Sequence, residues 1–157
     1  MTDDSDGSRE LVLERIIKAP RQNIWRCWTE GELLMRWYCP LPWKVTEAEL
    51  DVRPGGRFYV MMQGPGGEQA PAPGVYLAVD QGRRLVFTDA FEKAWAPSGK
   101  AFMVGDITLE DTPEGYTRYT ARSLHWTVAD REEHERMGFH EGWGIAADQL
   151  ERLAQSI

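Results

Sequence analysis

Between residues 130 and 157, the apolar positions Phe139, Trp143, Ala146, Leu150, Leu153 and Ile157 recur at intervals of four and three. That spacing marks one face of an α-helix. Asp130 and Glu133 have the form of a capping box and predict that the helix starts there. Gly138, Gly142 and Gly144 fall in its first half, where a glycine costs about 1 kcal/mol relative to alanine. They serve close packing or a kink, or they leave room for a ligand. Ile145 lies opposite the stripe and is expected to be exposed or to touch a partner. So broad a stripe must lie against another apolar surface.

The middle of the chain supplies that surface. Residues 11–18 predict a strand with Leu11, Leu13 and Ile17 on one face and Val12 and Ile16 on the other, so both faces are expected to be covered. Pro20 suits the first turn of a helix. Ile24, Cys27 and Trp28 share a helical face. Thr29 and Glu32 read as a second capping box before Leu33, Leu34 and Trp37. Two short helices are therefore predicted over about 20–37, ending before Pro40 and Pro42. From Trp43 the period changes to two, with Thr46, Ala48, Leu50 and Val52 opposite Val45, Glu47, Glu49 and Asp51. Residues 53–56 form a Pro-Gly turn. Phe58, Val60 and Met62 continue the next strand. Residues 63–73, rich in Gly and Pro, are expected to be a flexible loop. Val75, Leu77 and Val79 alternate, and Leu85 and Phe87 follow a turn at Gln81 and Gly82. Residues 90–100 read as a longer loop carrying Phe91 and Trp95. In the last hairpin Gly105, Ile107 and Leu109 oppose Asp106, Thr108 and Glu110, while Tyr119, Ala121, Ser123 and His125 oppose Arg118, Thr120 and Arg122. The helix is expected to cover the Tyr119 face. Short turns between successive strands predict an α+β fold, with about six or seven antiparallel strands and helices on one side.

Composition narrows the setting. The 157 residues suit one domain, expected over 9–157, with a frayed polar tail at 1–8. Eighteen Lys and Arg against 25 Asp and Glu give a net charge of −7. Such a surface repels nucleic acid and anionic membrane. No apolar run reaches the ~18 residues of a membrane span. The first eight residues lack the order of a signal peptide, so a cytoplasmic location is expected, with Cys27 and Cys39 reduced. Seven Trp, five Tyr, five Phe and six Met are the more informative clue. Aromatic faces suit ring-shaped ligands, and Met adapts to irregular ones.

With these elements placed, the chain resembles the START-like SRPBCC superfamily, in the branch homologous to the activator of the heat-shock-protein-ninety ATPase. The resemblance rests on the order and spacing of RIIKAPRQNIWRCWTE, LLMRWYCP, ELDVRPGGRFYVMM, GVYLAVDQGRRLVFTD and the Gly142-Trp143 pair, which span about 10–155. It implies a helix-grip fold, in which a curved sheet grips a long C-terminal helix. It also implies an internal cavity for lipids, aromatic compounds or other apolar small molecules. Members bind, carry, cyclise or sequester ligands, so no single reaction is implied.

Candidate chemistry is sparse. His140 and Glu141 begin like the zinc-protease helix motif, but Gly144 stands where its second His belongs. His125, His134 and His140 have no ligand spacing, and neither a metal nor a cofactor is expected. Nucleophile-elbow, dinucleotide and Walker motifs are missing. Ser123 and His125 lie on one strand face, where acid-base work would need an orienting carboxylate that the sequence does not identify. The expected ligand-binding residues are Trp37, Phe58, Val60, Met62, Phe87, Tyr119, Ser123, His125, His140 and Trp143. The leading reading is a small-molecule binding protein. A small cyclase, dehydratase or hydrolase using the same cavity, with His125 or His140 as general base, is the alternative. A chaperone-interaction module is a third reading, and a homodimer stays open.

Overall fold

The computed structural model describes residues 9–157, so the expected tail at 1–8 lies outside the described residues. The elements run β1 (Glu10–Ile17), α1 (Arg21–Thr29), α2 (Gly31–Leu34), β2 (Lys44–Leu50), β3 (Phe58–Gln63), β4 (Gln69–Ala72), β5 (Val75–Asp80), β6 (Arg84–Thr88), β7 (Phe91–Lys93), β8 (Ala96–Pro97), β9 (Met103–Asp111), β10 (Thr117–His125), α3 (Val128–Arg136) and α4 (Phe139–Ser156). Five strands form an antiparallel sheet in the order β1-β10-β9-β6-β5, and β2-β3-β4 form a second. The two meet where Arg57 pairs with Val75 and where the Phe58 and Tyr76 amides donate to Gly74 and Gly56, each at 2.9 Å. This is the α+β helix-grip arrangement, with two short helices after the first strand. Among the described residues, no helix is long and apolar enough to cross a membrane.

The strands depart from simple alternation at two bulges. Between Val45 and Glu47 the register of β2 on β3 shifts. An extra residue there turns the following side chains over. Val45, Ala48 and Leu50 therefore face inward together while Thr46 is exposed, against the expectation that Val45 opposes Ala48. A second shift between Tyr76 and Ala78 exposes Leu77 and buries Tyr76, which stacks on Phe58 at 5.1 Å.

The predicted loop over 63–73 is half strand. Gln69–Ala72 pairs with β3, and only the tight turn at 64–68 and Pro73 remain irregular. Pro71 is tolerated because β4 is an edge strand that lacks a second neighbour. The 90–100 loop likewise contains the small β7-β8 hairpin. The outer face of β1 is not covered as expected, since Val12 and Ile16 are exposed.

The C-terminal segment is two helices rather than one. Gly138 takes φ +94°, a left-handed conformation that glycine adopts cheaply, and it separates α3 from α4. The cap of α3 is Thr127, whose hydroxyl oxygen accepts from the Asp130 amide at 3.0 Å. Asp130 is thus capped instead of capping. Thr29 is not a cap either, because its hydroxyl donates to the Trp25 carbonyl inside α1 at 2.7 Å. Helix α4 buries Ala146, Ala147, Leu150, Leu153 and Ala154 in a core shared with Ile17, Ile24, Leu34, Leu85 and Ile107. Asn23 ties down its end by donating to the Ala154 carbonyl at 3.0 Å and the Ile157 carbonyl at 3.3 Å. Ile145 is exposed, as its place opposite the stripe implies.

Candidate functional site

The first half of α4 does not close onto the sheet. Beneath it lies a cavity of about 310 Å³. Its sheet wall is Leu13, Met62, Ala72, Phe87, Met103 and Tyr119. Trp28, Trp37, Tyr38, Cys39 and Pro40 close the side of the small helices. His134, Met137, Gly138, Phe139, Gly142, Trp143 and Ala146 form the roof. Lys, Arg, Asp and Glu are missing from this lining.

The aromatic wall is interlocked. Trp28 meets Trp37 edge-on at 4.9 Å and lies 5.7 Å from Phe87, and Phe58 meets Phe87 edge-on at 4.9 Å. These are the separations that aromatic quadrupoles favour. Trp37 is further fixed by its indole N–H, which donates to the Cys27 carbonyl at 2.9 Å. Gln149 fixes the next loop by donating to the carbonyls of Trp37 at 2.9 Å and Cys39 at 2.7 Å. The wall is thus braced by its own contacts.

Each glycine of the first half has its own part. Gly138 makes the break. A Cβ built on Gly142 meets nothing within 4 Å, so that position opens onto space. Gly144 instead admits Arg15, whose guanidinium nitrogen would sit 3.3 Å from an added Cβ and which pairs with Asp148. Close packing, a kink and open room, posed above as alternatives, are all present at different positions.

Of the ten residues expected to bind a ligand, Trp37, Met62, Phe87, Tyr119 and Trp143 line the cavity. Phe58 and Val60 point inward but are buried behind it, Phe58 touching the wall residues Phe87 and Tyr38. His140 is exposed on the far flank of α4. Ser123 and His125 are buried one layer back, where they join His134.

His134 is the site residue that periodicity missed. It sits on α3, whose other residues are mostly charged and exposed, yet it is itself buried. Its Nδ1 lies 2.9 Å from Nε2 of His125 and 3.3 Å from the Ser123 hydroxyl. That hydroxyl also donates to the Met103 sulfur at 3.1 Å. Nδ1 of His125 lies 2.9 Å from the Arg9 carbonyl. Phe102 and Phe139 pack on the His134 ring at 5.0 and 5.2 Å. This burial, with a smaller contribution from His125, pushes the His134 imidazole down to about 4. The only sequence hint was a histidine isolated in a charged helix beside the Gly138 break.

Burial also pushes the thiols of Cys27 and Cys39 up to about 11, so both are protonated at neutral pH. The phenols of Tyr38 and Tyr119, on the cavity wall, are pushed well above their ordinary range for the same reason. Among the described residues no group of His, Cys, Asp and Glu is arranged to hold a metal.

A curved sheet gripping a C-terminal helix over an apolar hollow defines a START-like, helix-grip protein. The chain belongs to the family described as Activator of Hsp90 ATPase homolog 1-like protein, which it matches over residues 18–155. It is 42% identical to protein NE0264 from Nitrosomonas europaea, with a TM-score of 0.92 over 96% of this chain and 97% of that one. Protein Ms6760 from Mycobacterium smegmatis shares the fold at 24% identity, with a TM-score of 0.78 over 94% and 91% of the two chains. So does an AHSA1-like protein from Aeromonas hydrophila, at 18% identity and a TM-score of 0.69 over 94% and 92%. Among curated proteins none matches the chain.

Proposed function

We propose that the protein binds an uncharged apolar or aromatic small molecule in the cavity beneath α4. The observation that carries this reading is the aromatic- and Met-walled hollow of about 310 Å³ under Gly142, where an added side chain meets open space. A volume at the lower end of the usual ligand range, an apolar wall and a few polar groups are the common anatomy of a small-molecule site. A wall without fixed charge disfavours ions, whose desolvation would go uncompensated.

Binding is favoured over general-base catalysis by the state of the histidines. No carboxylate contacts His125 or His134 among the described residues, so an imidazolium formed there would lack a counter-charge. A base held down to about 4 is also poorly matched to reaction near neutral pH. The family description names an ATPase activator; that reading stands second to the cavity, which is the more specific feature of the described residues.

The test is Gly142→Leu, assayed with the neutral fluorophore N-phenyl-1-naphthylamine. The added side chain should fill the hollow and abolish the fluorescence gain while the far-ultraviolet circular dichroism of the fold persists. Undiminished probe binding by the folded variant would refute the placement.

A further inference from the structure

The polar end of the cavity has a direction, and the direction is set by backbone. The Arg9 carbonyl can only accept, so the 2.9 Å contact from Nδ1 of His125 requires the proton to sit on that nitrogen. In the neutral ring Nε2 of His125 is then a bare acceptor. The next contact, 2.9 Å to Nδ1 of His134, therefore needs the proton on His134 Nδ1. The Ser123 hydroxyl fits the same order, since its oxygen faces Nδ1–H of His134 at 3.3 Å while its proton has two acceptors, the Met103 sulfur at 3.1 Å and Nε2 of His125 at 3.2 Å. With Nδ1 protonated, Nε2 of neutral His134 carries only a lone pair.

That lone pair has no hydrogen-bond partner among the described residues, although His134 lines the cavity and is only 8% exposed. A ligand that displaces water from this acceptor without offering a donor of its own is disfavoured. The other polar groups of the wall do not impose a direction. The hydroxyls of Tyr38 and Tyr119 can each donate or accept. The Trp28 N–H has no hydrogen-bond partner, but it is buried within the wall and is not exposed to the hollow. His134 is therefore the group that selects.

We propose that the occupant of the cavity carries a hydrogen-bond donor, a hydroxyl on an uncharged aromatic or alicyclic skeleton, which it presents to Nε2 of His134. This rests on the cavity reading above and narrows it to phenols and related alcohols. Carboxylates are excluded twice over, by the missing cationic partner and by the lone pair that would face them. Ethers and ketones of the same shape offer only acceptors and leave His134 unpaired.

The test compares 1-naphthol, naphthalene and 1-methoxynaphthalene on the wild-type protein, by displacement of N-phenyl-1-naphthylamine. In a purely apolar hollow naphthol is the weakest of the three, because its hydroxyl loses water without compensation. With a waiting acceptor the order reverses, and naphthol should bind about tenfold tighter than the other two. Equal affinities, or naphthol the weakest, would overturn the donor assignment while leaving an apolar site in place. If none of the three displaces the probe, and the probe itself does not bind, the cavity reading falls with it. A second measurement needs no ligand. Imidazole ¹⁵N shifts at neutral pH should show His134 protonated at Nδ1 and bare at Nε2. A protonated Nε2 on His134 would end the proposal.

Discussion

Replacing His134 with glutamine should flatten the acid limb of the stability curve. In the unfolded chain the ring takes its proton near the ordinary pKa of 6.5, whereas in the fold burial and then His125 hold it down to about 4. Above pH ~6.5 both states are neutral at this position and its contribution does not change. As pH falls further, the unfolded chain binds the proton first, and stability drops until the folded ring is also protonated near 4. At about 1.4 kcal/mol per unit, the gap amounts to about 3 kcal/mol, a large part of a typical domain's stability. Urea unfolding followed by tryptophan fluorescence, at about pH 7.5 and about pH 4.5, reads most of that range. The carboxylates titrate in both proteins, so the comparison removes them. Between the two conditions the wild type should lose about 2–3 kcal/mol more than His134→Gln, whose amide can still donate to Nε2 of His125. Parallel losses would show that the ring is not held neutral by its surroundings, and the tautomer argument would lose its starting point.

Other outcomes follow from the same geometry. A Cβ on Gly105 would lie 2.4 Å from the Phe87 ring, so Gly105→Ala should drive that ring off its seat and cost about 1–3 kcal/mol in urea unfolding. Gly142→Ala, with open space at the Cβ and an ordinary helical backbone, should raise stability by about 0.5–1 kcal/mol in the same assay. Cys27 and Cys39, held up to about 11 by burial, should resist iodoacetamide near pH 8 in the folded protein and react only after denaturation. Modification of the native protein at the rate of a free thiol would contradict their placement.

The fold was legible where periodicity reports burial. Residues 117–125 alternate in the structure as in the sequence, because a half-buried strand repeats every second residue. The stripe from Phe139 to Leu153 was legible for the equivalent helical reason. The bulges at Val45 and Tyr76 were not, since each breaks the period through pairing geometry that leaves no mark in composition. Pro71 argued for a loop, but its missing N–H is harmless on the open edge of β4. In the site, periodicity placed Phe87 and Tyr119 correctly on the inner face. It could not separate them from Phe58 and Val60, because facing inward does not say whether a neighbour stands between a side chain and the hollow. His134 was hidden for the opposite reason. Its helix has no apolar face, so nothing in the pattern marks the one residue that turns in.

The hollow itself follows from how these parts constrain one another. Protein interiors pack densely, and a gap under a helix would ordinarily be filled by the helix settling onto the sheet. Here α4 is anchored at its second half by Leu150, Leu153 and Ala154 in the core and by Asn23 at its end. Arg15 wedges beside Gly144 and pairs with Asp148, fixing the middle of the helix above β1. The break at Gly138 then directs α3 across the opening, where His134 joins His125 and Ser123 on β10. The helix cannot descend without breaking the Arg15 contact or pulling His134 from its partners. If that bracing keeps the space open, Gly138→Ala, which strains a φ of +94°, should loosen α3 by about 1–2 kcal/mol and weaken binding of N-phenyl-1-naphthylamine although residue 138 gains a methyl group. Amide hydrogen exchange should locate the loss in α3 and spare the second half of α4. Uniform loosening across the whole of α4 would mean that the two helices act as one unit and that the break does not hold the cavity open.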